Sequence, residues 1–212
     1  IHGDNRVIGQ PNRMMAIVPE LFHNNSSNGN GNGNGNSSSN NNRGGRISAS
    51  NFRGGARQLS AHISNLKRCQ RSGEVDDVLD LFTELVETRE GLLNAIHVSN
   101  IFGTIVAGTE PRVIERLKRD KRFVDLLQFC CSKLRTPGWF GVRAIGSVTH
   151  SLAKLGIWHK KFFKAVVREA GRIAREGSTQ TVANVAWAFA TAGHAAPTLL
   201  DAIATGRRCA AA

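Results

Sequence analysis

Residues 145–156 read IGSVTHSLAKLG, and residues 182–193 read VANVAWAFATAG. The two stretches agree place by place. A small polar residue stands third (Ser147, Asn184) and Val fourth (Val148, Val185); an apolar residue and Ala stand eighth and ninth (Leu152 and Ala153, Phe189 and Ala190), and Gly closes each (Gly156, Gly193). The offset, 182 − 145 = 37 residues, falls in the range of helix-pair repeats. A weaker copy, VSNIFGTIVAG at 98–108, carries Asn100 and Ile101 in the same places; its offset, 145 − 98 = 47, requires an insertion between copies. A unit of this size cannot bury its apolar face alone, so copies stack and expose a long common surface. The expected fold is all-α: an α-solenoid of helix-turn-helix repeats spaced by 37–47 residues.

Outward from this block, the pattern after residue 60 is helix upon helix with no strand-like alternation. Val75, Val78, Leu79, Phe82, Leu85 and Val86 recur at three- and four-residue steps, which marks one buried stripe over 75–88. A first helix is expected over 62–71, broken from the second at Gly73, and another over 94–107, closed by a left-handed turn at Gly108. Thr109 is expected to cap the next helix, with Pro111 in its first turn. Further helices are expected over 112–119, 123–134, 142–155, 159–175, 179–192 (capped by Ser178) and 195–205, with a turn at Thr136, Pro137 and Gly138. In the repeated block, Ile145, Val148 and Leu152, like Val182, Val185 and Phe189, share one face and are expected in the core. Ala153 and Ala190 are expected to let neighbouring helices approach.

Composition sets the domain limits. Residues 24–42 contain only Asn, Gly and Ser, and such a tract has no apolar surface to offset the entropy of ordering. We expect 1–58 to be a disordered, low-complexity segment, 59–205 the helical-repeat domain and 206–212 a tail. Residues 1–58 hold six Arg, no Lys and two acids; this Arg-rich, acid-poor bias suits either an organellar transit segment or a plain low-complexity extension. With Ile as first residue, the chain reads as a fragment or a processed product. No run of 18 apolar residues occurs, so no membrane insertion is expected.

Charge is uneven along the chain. The net charge of +12 divides into +4 for 1–58, −4 for 59–110 and +12 for 111–212. One basic cluster comprises Arg112, Arg116, Lys118, Arg119, Lys121 and Arg122; another runs from Lys154 to Arg175. Such patches on a helical array are the footprint of a polyanion partner. The acidic residues Asp76, Asp77, Asp80, Glu84 and Glu87 have helical spacing and are expected on a solvated face.

Catalytic and metal patterns are absent from the sequence. Cys69, Cys130, Cys131 and Cys209 show neither metal-ligand spacing nor a disulfide framework, and the seven histidines form no zinc motif. His150 and His194 read as helix and cap residues. The GNGNGN run neither follows a strand nor opens a helix, so it is not a phosphate loop. No enzyme, no metal and no cofactor are expected.

The block resembles the B helix of octatricopeptide repeats and of the FAST-leucine-rich, RAP-associated class, typically LANTLWALAKLG. Val182, Ala183 and Asn184 stand for LAN; Ala186, Trp187 and Ala188 for LWA; residues 152–156 for LAKLG. The resemblance covers 123–205 well and 60–108 weakly. Thr149 and His150 replace the family's Leu-Trp pair, and the PPPEW-type motif of some octatricopeptide repeats is absent. The resemblance implies an organellar RNA-binding protein of the mitochondrial matrix or plastid stroma, acting on RNA processing, stability or translation. Single-stranded RNA would be the partner, with ribonucleoprotein or processing factors beside it. The alternative is a protein–protein scaffold or a subunit of an organellar ribonucleoprotein particle.

The candidate contacts divide into two sets. Lys160, Lys161, Lys164, Arg168, Arg172 and Arg175 lie on one expected helix, mostly at steps of three and four, and are candidates for RNA phosphate. Asn100, Ser147 and Asn184, at the recurring polar place, are candidates for base edges, the other reading being bonds to a neighbouring helix. Trp158, beside His159, Lys160 and Lys161, is a candidate for base stacking. Trp187 is expected to pack between repeats.

Overall fold

The spacing of apolar residues resolves into ten α-helices and a single 3₁₀ turn in a computed structural model, which describes residues 55–69, 74–193 and 196–210. These all lie in a unit spanning Gly44–Ala212. In chain order they are α1 (Ala56–Cys69), α2 (Glu74–Arg89), the 3₁₀ turn (Glu90–Leu92), α3 (Ala95–Gly108), α4 (Pro111–Arg119) and α5 (Lys121–Lys133). Then come α6 (Val142–Lys154), α7 (Lys160–Arg168), α8 (Ala170–Glu176), α9 (Thr179–Thr191) and α10 (Pro197–Ala210). No strand occurs among the described residues. The all-α expectation holds. Helix α1 starts three residues before the expected boundary at 59, and α10 continues past 205. The head and low-complexity tract of 1–54, the break at Gly73 and the cap residue His194 lie outside the described residues.

One expected helix is two. The stretch 159–175 breaks at Glu169, whose φ of −84° and ψ of 2° leave the helical region. Arg172 clamps the corner: its Nε donates to the Glu169 carboxylate at 2.7 Å and its Nη2 to the Phe140 carbonyl at 2.8 Å. The apolar period runs through the corner undisturbed, so periodicity cannot show a turn made by one residue's ψ.

Local chemistry accounts for the remaining ends. Asn94 Oδ1 accepts from the N–H groups of Ile96 and His97 at 2.9 and 3.0 Å, and His97 Nδ1 accepts from the Asn94 N–H at 3.3 Å. This reciprocal cap satisfies donors that α3 cannot satisfy within itself. Buried His97 also reaches back with Nε2, 2.9 Å from the Ala56 carbonyl, and so ties α3 to the start of α1. Ser178 caps α9 through the Thr181 N–H at 3.2 Å, as expected. Two expectations fail nearby. Gly108 ends α3 without a left-handed φ, and Glu110 rather than Thr109 is the N-cap of α4. The Thr109 hydroxyl donates instead to the Ile105 carbonyl at the end of α3.

The glycines that close the repeated block behave alike. Gly156 and Gly193 have φ of +62° and +67°, a region an L side chain enters only at a cost. At α6 the Gly156 N–H donates to the Ala153 carbonyl and the Ile157 N–H to the Leu152 carbonyl, at 3.0 and 2.9 Å. These bonds satisfy end carbonyls of α6, and Ile157 and Leu152 are both buried beside them.

Contacts link the block helices in succession. Helix α1 packs on α3, α3 on α6, and α6 on α9; among the remaining helices α2 meets α5, α5 meets α7, and α8 meets α10. The first, fourth and eighth places of the block are buried in all three copies: Val98, Ile101 and Ile105; Ile145, Val148 and Leu152; Val182, Val185 and Phe189. Each such side chain contributes about 1.5–3 kcal/mol by leaving water. The small residue at the ninth place is buried at Ala153 but exposed at Ala190. Close approach between α6 and α9 is made instead by Gly146, where a Cβ would sit 3.0 Å from Thr181 Cγ2 and 3.2 Å from the Thr181 carbonyl oxygen.

Two substitutions test these constraints by urea unfolding. Gly156→Ala costs about 1 kcal/mol through the left-handed φ, and Gly146→Leu costs about 2–3 kcal/mol by forcing α6 off α9. Gly91→Ala, at a site with open space and no left-handed φ, stays within about 0.5 kcal/mol of the parent.

Candidate nucleic-acid interface

With the first, fourth and eighth places buried, each block helix turns the opposite side outward. On α9 the outward stripe is Gln180, Asn184 and Trp187; on α6 it is Arg143, Ser147 and His150; on α3 it is Ile96, Asn100 and Gly103. Steps of four and three keep each set on one face. Residues of all three helices line a common groove of about 650 Å³: Ile96 and Asn100 from α3, Arg143, Ser147 and His150 from α6, and Asn184 from α9, with Trp187 beside it through its contact with His150. The three polar residues at the recurring place are therefore brought together. The Asn100 amide and the Ser147 hydroxyl make no hydrogen bond among the described residues, and Asn184 bonds along its own helix, its Oδ1 accepting from Gln180 Nε2 at 2.8 Å. Among the described residues none of the three side chains bonds to a neighbouring helix.

The tryptophans exchange their expected places. Trp158 packs inward, its ring centroid 4.0 Å from Phe163 and 5.9 Å from Phe189. Trp187, expected between repeats, is 44% exposed. Its ring lies tilted against that of His150, at 4.8 Å between centroids and 54° between planes. Burial, and next the charge of Lys154, hold the His150 pKa below the ordinary histidine value, so its ring is neutral at pH 7. Trp187 lies about half a turn round the helix from Val185. Its outward direction was legible in the spacing, which the habit of Trp to pack overrode. Arg143, a groove cation, was missed because it precedes the recurring block.

The two basic clusters have different surroundings. In the first, Arg122 donates to Asp80 at 2.5 Å, to Asp76 at 2.6 Å and to Asp120 at 2.5 Å; Arg116 pairs with Asp76 at 2.7 Å. Lys118 pairs with Glu115, and Lys121 with Asp125. The acidic side of α2 is thus not simply a solvated face: Asp76 and Asp80 are half-buried partners of α4 and α5. In the second cluster Lys160, Lys161, Lys164 and Arg168 on α7, and Arg175 on α8, are exposed and form no ion pair among the described residues. Arg172 is held by Glu169 and the Phe140 carbonyl. None of the six lines the groove. Lys154 in the last turn of α6 and Lys160 in the first turn of α7 stand at the two ends of the short link 155–159, so positive charge turns the corner from the block helix onto α7.

No group of three His, Cys, Asp or Glu side chains able to hold a metal occurs among the described residues. Cys130 is wholly buried, which pushes its thiol pKa well up. Cys131 Sγ lies 3.7 Å from His159 Nδ1, which also accepts the Phe162 N–H as the cap of α7. No helix of the described residues is long and apolar enough to cross a membrane. No protein-family model, curated protein or solved structure matches the chain.

The Arg122 network makes a stability prediction. Desolvation raises the Asp76 carboxyl, but hydrogen bonds from Arg122 and Arg116 outweigh it, while Arg122 chiefly holds Asp120; both carboxyls lie below their ordinary value. Their contribution is complete above the unfolded carboxyl value of about pH 4 and is lost as pH falls through the lower folded values. Arg122→Gln therefore lowers stability at pH 7 by about 1–3 kcal/mol. The variant also shows a shallower acid limb than the parent when urea midpoints are followed from pH 7 to 3.

Proposed function

We propose that the chain binds single-stranded RNA across the outward face of its block helices. The observation that carries this reading is the convergence of Asn100, Ser147 and Asn184 in one groove, with their side chains unbonded to neighbouring helices. Duplex RNA hides base edges from side chains, whereas unpaired bases present them, and small polar residues one per repeat suit that contact. The successive packing of α1, α3, α6 and α9 supports reading the fold as a short α-solenoid of helix-turn-helix repeats. The exposed Lys154, Lys160, Lys161, Lys164 and Arg168 supply the sequence-independent capture of phosphate.

Its mechanism is occupancy, with no bond made or broken. The cationic corner draws in the strand, the groove biases which bases settle, and the occupied stretch is closed to nucleases or offered to a processing partner. The Arg-rich, acid-poor 1–58 segment and the octatricopeptide-like blocks support an organellar setting, in the mitochondrial matrix or plastid stroma. A scaffold for proteins is the second reading. The observation favouring it is Leu200 on α10, 51% exposed, a place where an apolar partner would gain contact area.

Replacing Lys160, Lys161, Lys164 and Arg168 together by Gln weakens binding of the full chain to random-sequence single-stranded RNA at least tenfold. It also reduces the slope of log affinity against log salt by about 0.7 for each phosphate no longer neutralised. Fluorescence anisotropy over about 50–200 mM salt, with duplex DNA as control, measures both. Unchanged affinity removes α7 from the interface. Salt-resistant affinity for a protein partner, with no RNA binding, replaces the reading by the scaffold.

A further inference from the structure

At the sixth place of the outward stripes stand Gly103, His150 and Trp187. The series is graded, with no side chain on α3, a small ring on α6 and a large ring on α9. Trp187 is one of three large apolar side chains left exposed among the described residues. Its ring lies tilted against the His150 ring, at 54° between planes, and His150 itself lines the groove. The indole N–H has no hydrogen-bond partner among the described residues. A large aromatic 44% exposed and steadied at one place by a neighbouring ring offers contact area to a planar partner.

Three residues earlier on α9 stands Asn184. Its Oδ1 is occupied by Gln180 Nε2 at 2.8 Å, so its amide hydrogens are left to donate toward the groove that it lines. A ring platform and a free amide donor one turn apart fit a planar heterocycle carrying an acceptor on its edge. Ser147 and Arg143 line the same groove from α6, with a hydroxyl for the edge and a cation for the adjoining phosphate.

We infer that α9 holds a single-nucleobase site in which one unpaired base of the RNA stacks on the exposed Trp187 ring and takes a hydrogen bond from Asn184 on its edge. This deepens the RNA reading of the groove and rests on it. Recognition is then polar along the helix row: stacking belongs to the α9 end, and the α3 end, with Gly103 at the same place, contributes none.

The test uses the full chain and an oligouridylate of about 12 nucleotides, within the usual footprint of a stacking groove. RNA quenches tryptophan emission in the parent, and Trp187→Ala removes the quenching although Trp139 and Trp158 remain. Trp187→Ala lowers affinity at least about tenfold, as expected for one stacked base. Its salt slope stays that of the parent, because every phosphate keeps its cation. Trp187→Phe keeps most of the affinity. Both variants retain the parent's helical circular dichroism at the assay temperature, because the side chain lies outside the buried stripe. Equal affinity for parent and Trp187→Ala, with salt-sensitive RNA binding intact, overturns the base site and leaves the RNA reading standing. An affinity for Trp187→Phe as low as that of Trp187→Ala also overturns it, since the weakening is then not one of stacking. Absence of RNA binding by the parent overturns both.

Discussion

The buried stripe of the block helices is the constraint on which the rest depends. Val98, Ile101 and Ile105, then Ile145, Val148 and Leu152, then Val182, Val185 and Phe189 leave water together. Once those places face inward, helical geometry leaves no freedom about what faces out. The third and sixth places must line the open side, and three copies in succession turn three isolated polar residues into one groove. The close seat of Gly146 against Thr181 brings α6 and α9 near enough for His150 and Trp187 to touch.

Electrostatics then divides the molecule's positive charge into two kinds. Arg116 and Arg122 reach back to Asp76 and Asp80 and bind α4 and α5 to α2; that charge serves the fold. The cations of α7 and the last turn of α6 face water without such partners among the described residues, and that charge is available to a polyanion. A net charge of +12 alone does not make this distinction, because it counts both kinds alike.

Much of this was legible in the sequence, and the reasons are local. The repeated block announced its own buried stripe, its closing glycines and the shared orientation of Asn100, Ser147 and Asn184, because all three follow from spacing within one helix. The break at Glu169 was not legible, since it depends on Arg172 reaching the Phe140 carbonyl 32 residues away in sequence. Nor was the pairing of Arg122 with Asp76 and Asp80, 46 and 42 residues apart. Trp158 was misplaced because a tryptophan beside two lysines in a turn looks accessible, whereas Phe163 and Phe189 draw its ring inward.

Whether the outward stripes of α3, α6 and α9 touch RNA is open to direct measurement. Photo-crosslinking of the full chain to 4-thiouridine-substituted single-stranded RNA, followed by mapping of the modified peptides, reads the contact itself. Adducts are expected on the outward residues of α6 and α9, at or beside Ser147, His150, Asn184 and Trp187. Adducts confined to other surfaces, with the groove peptides unmodified, would contradict an RNA-binding groove.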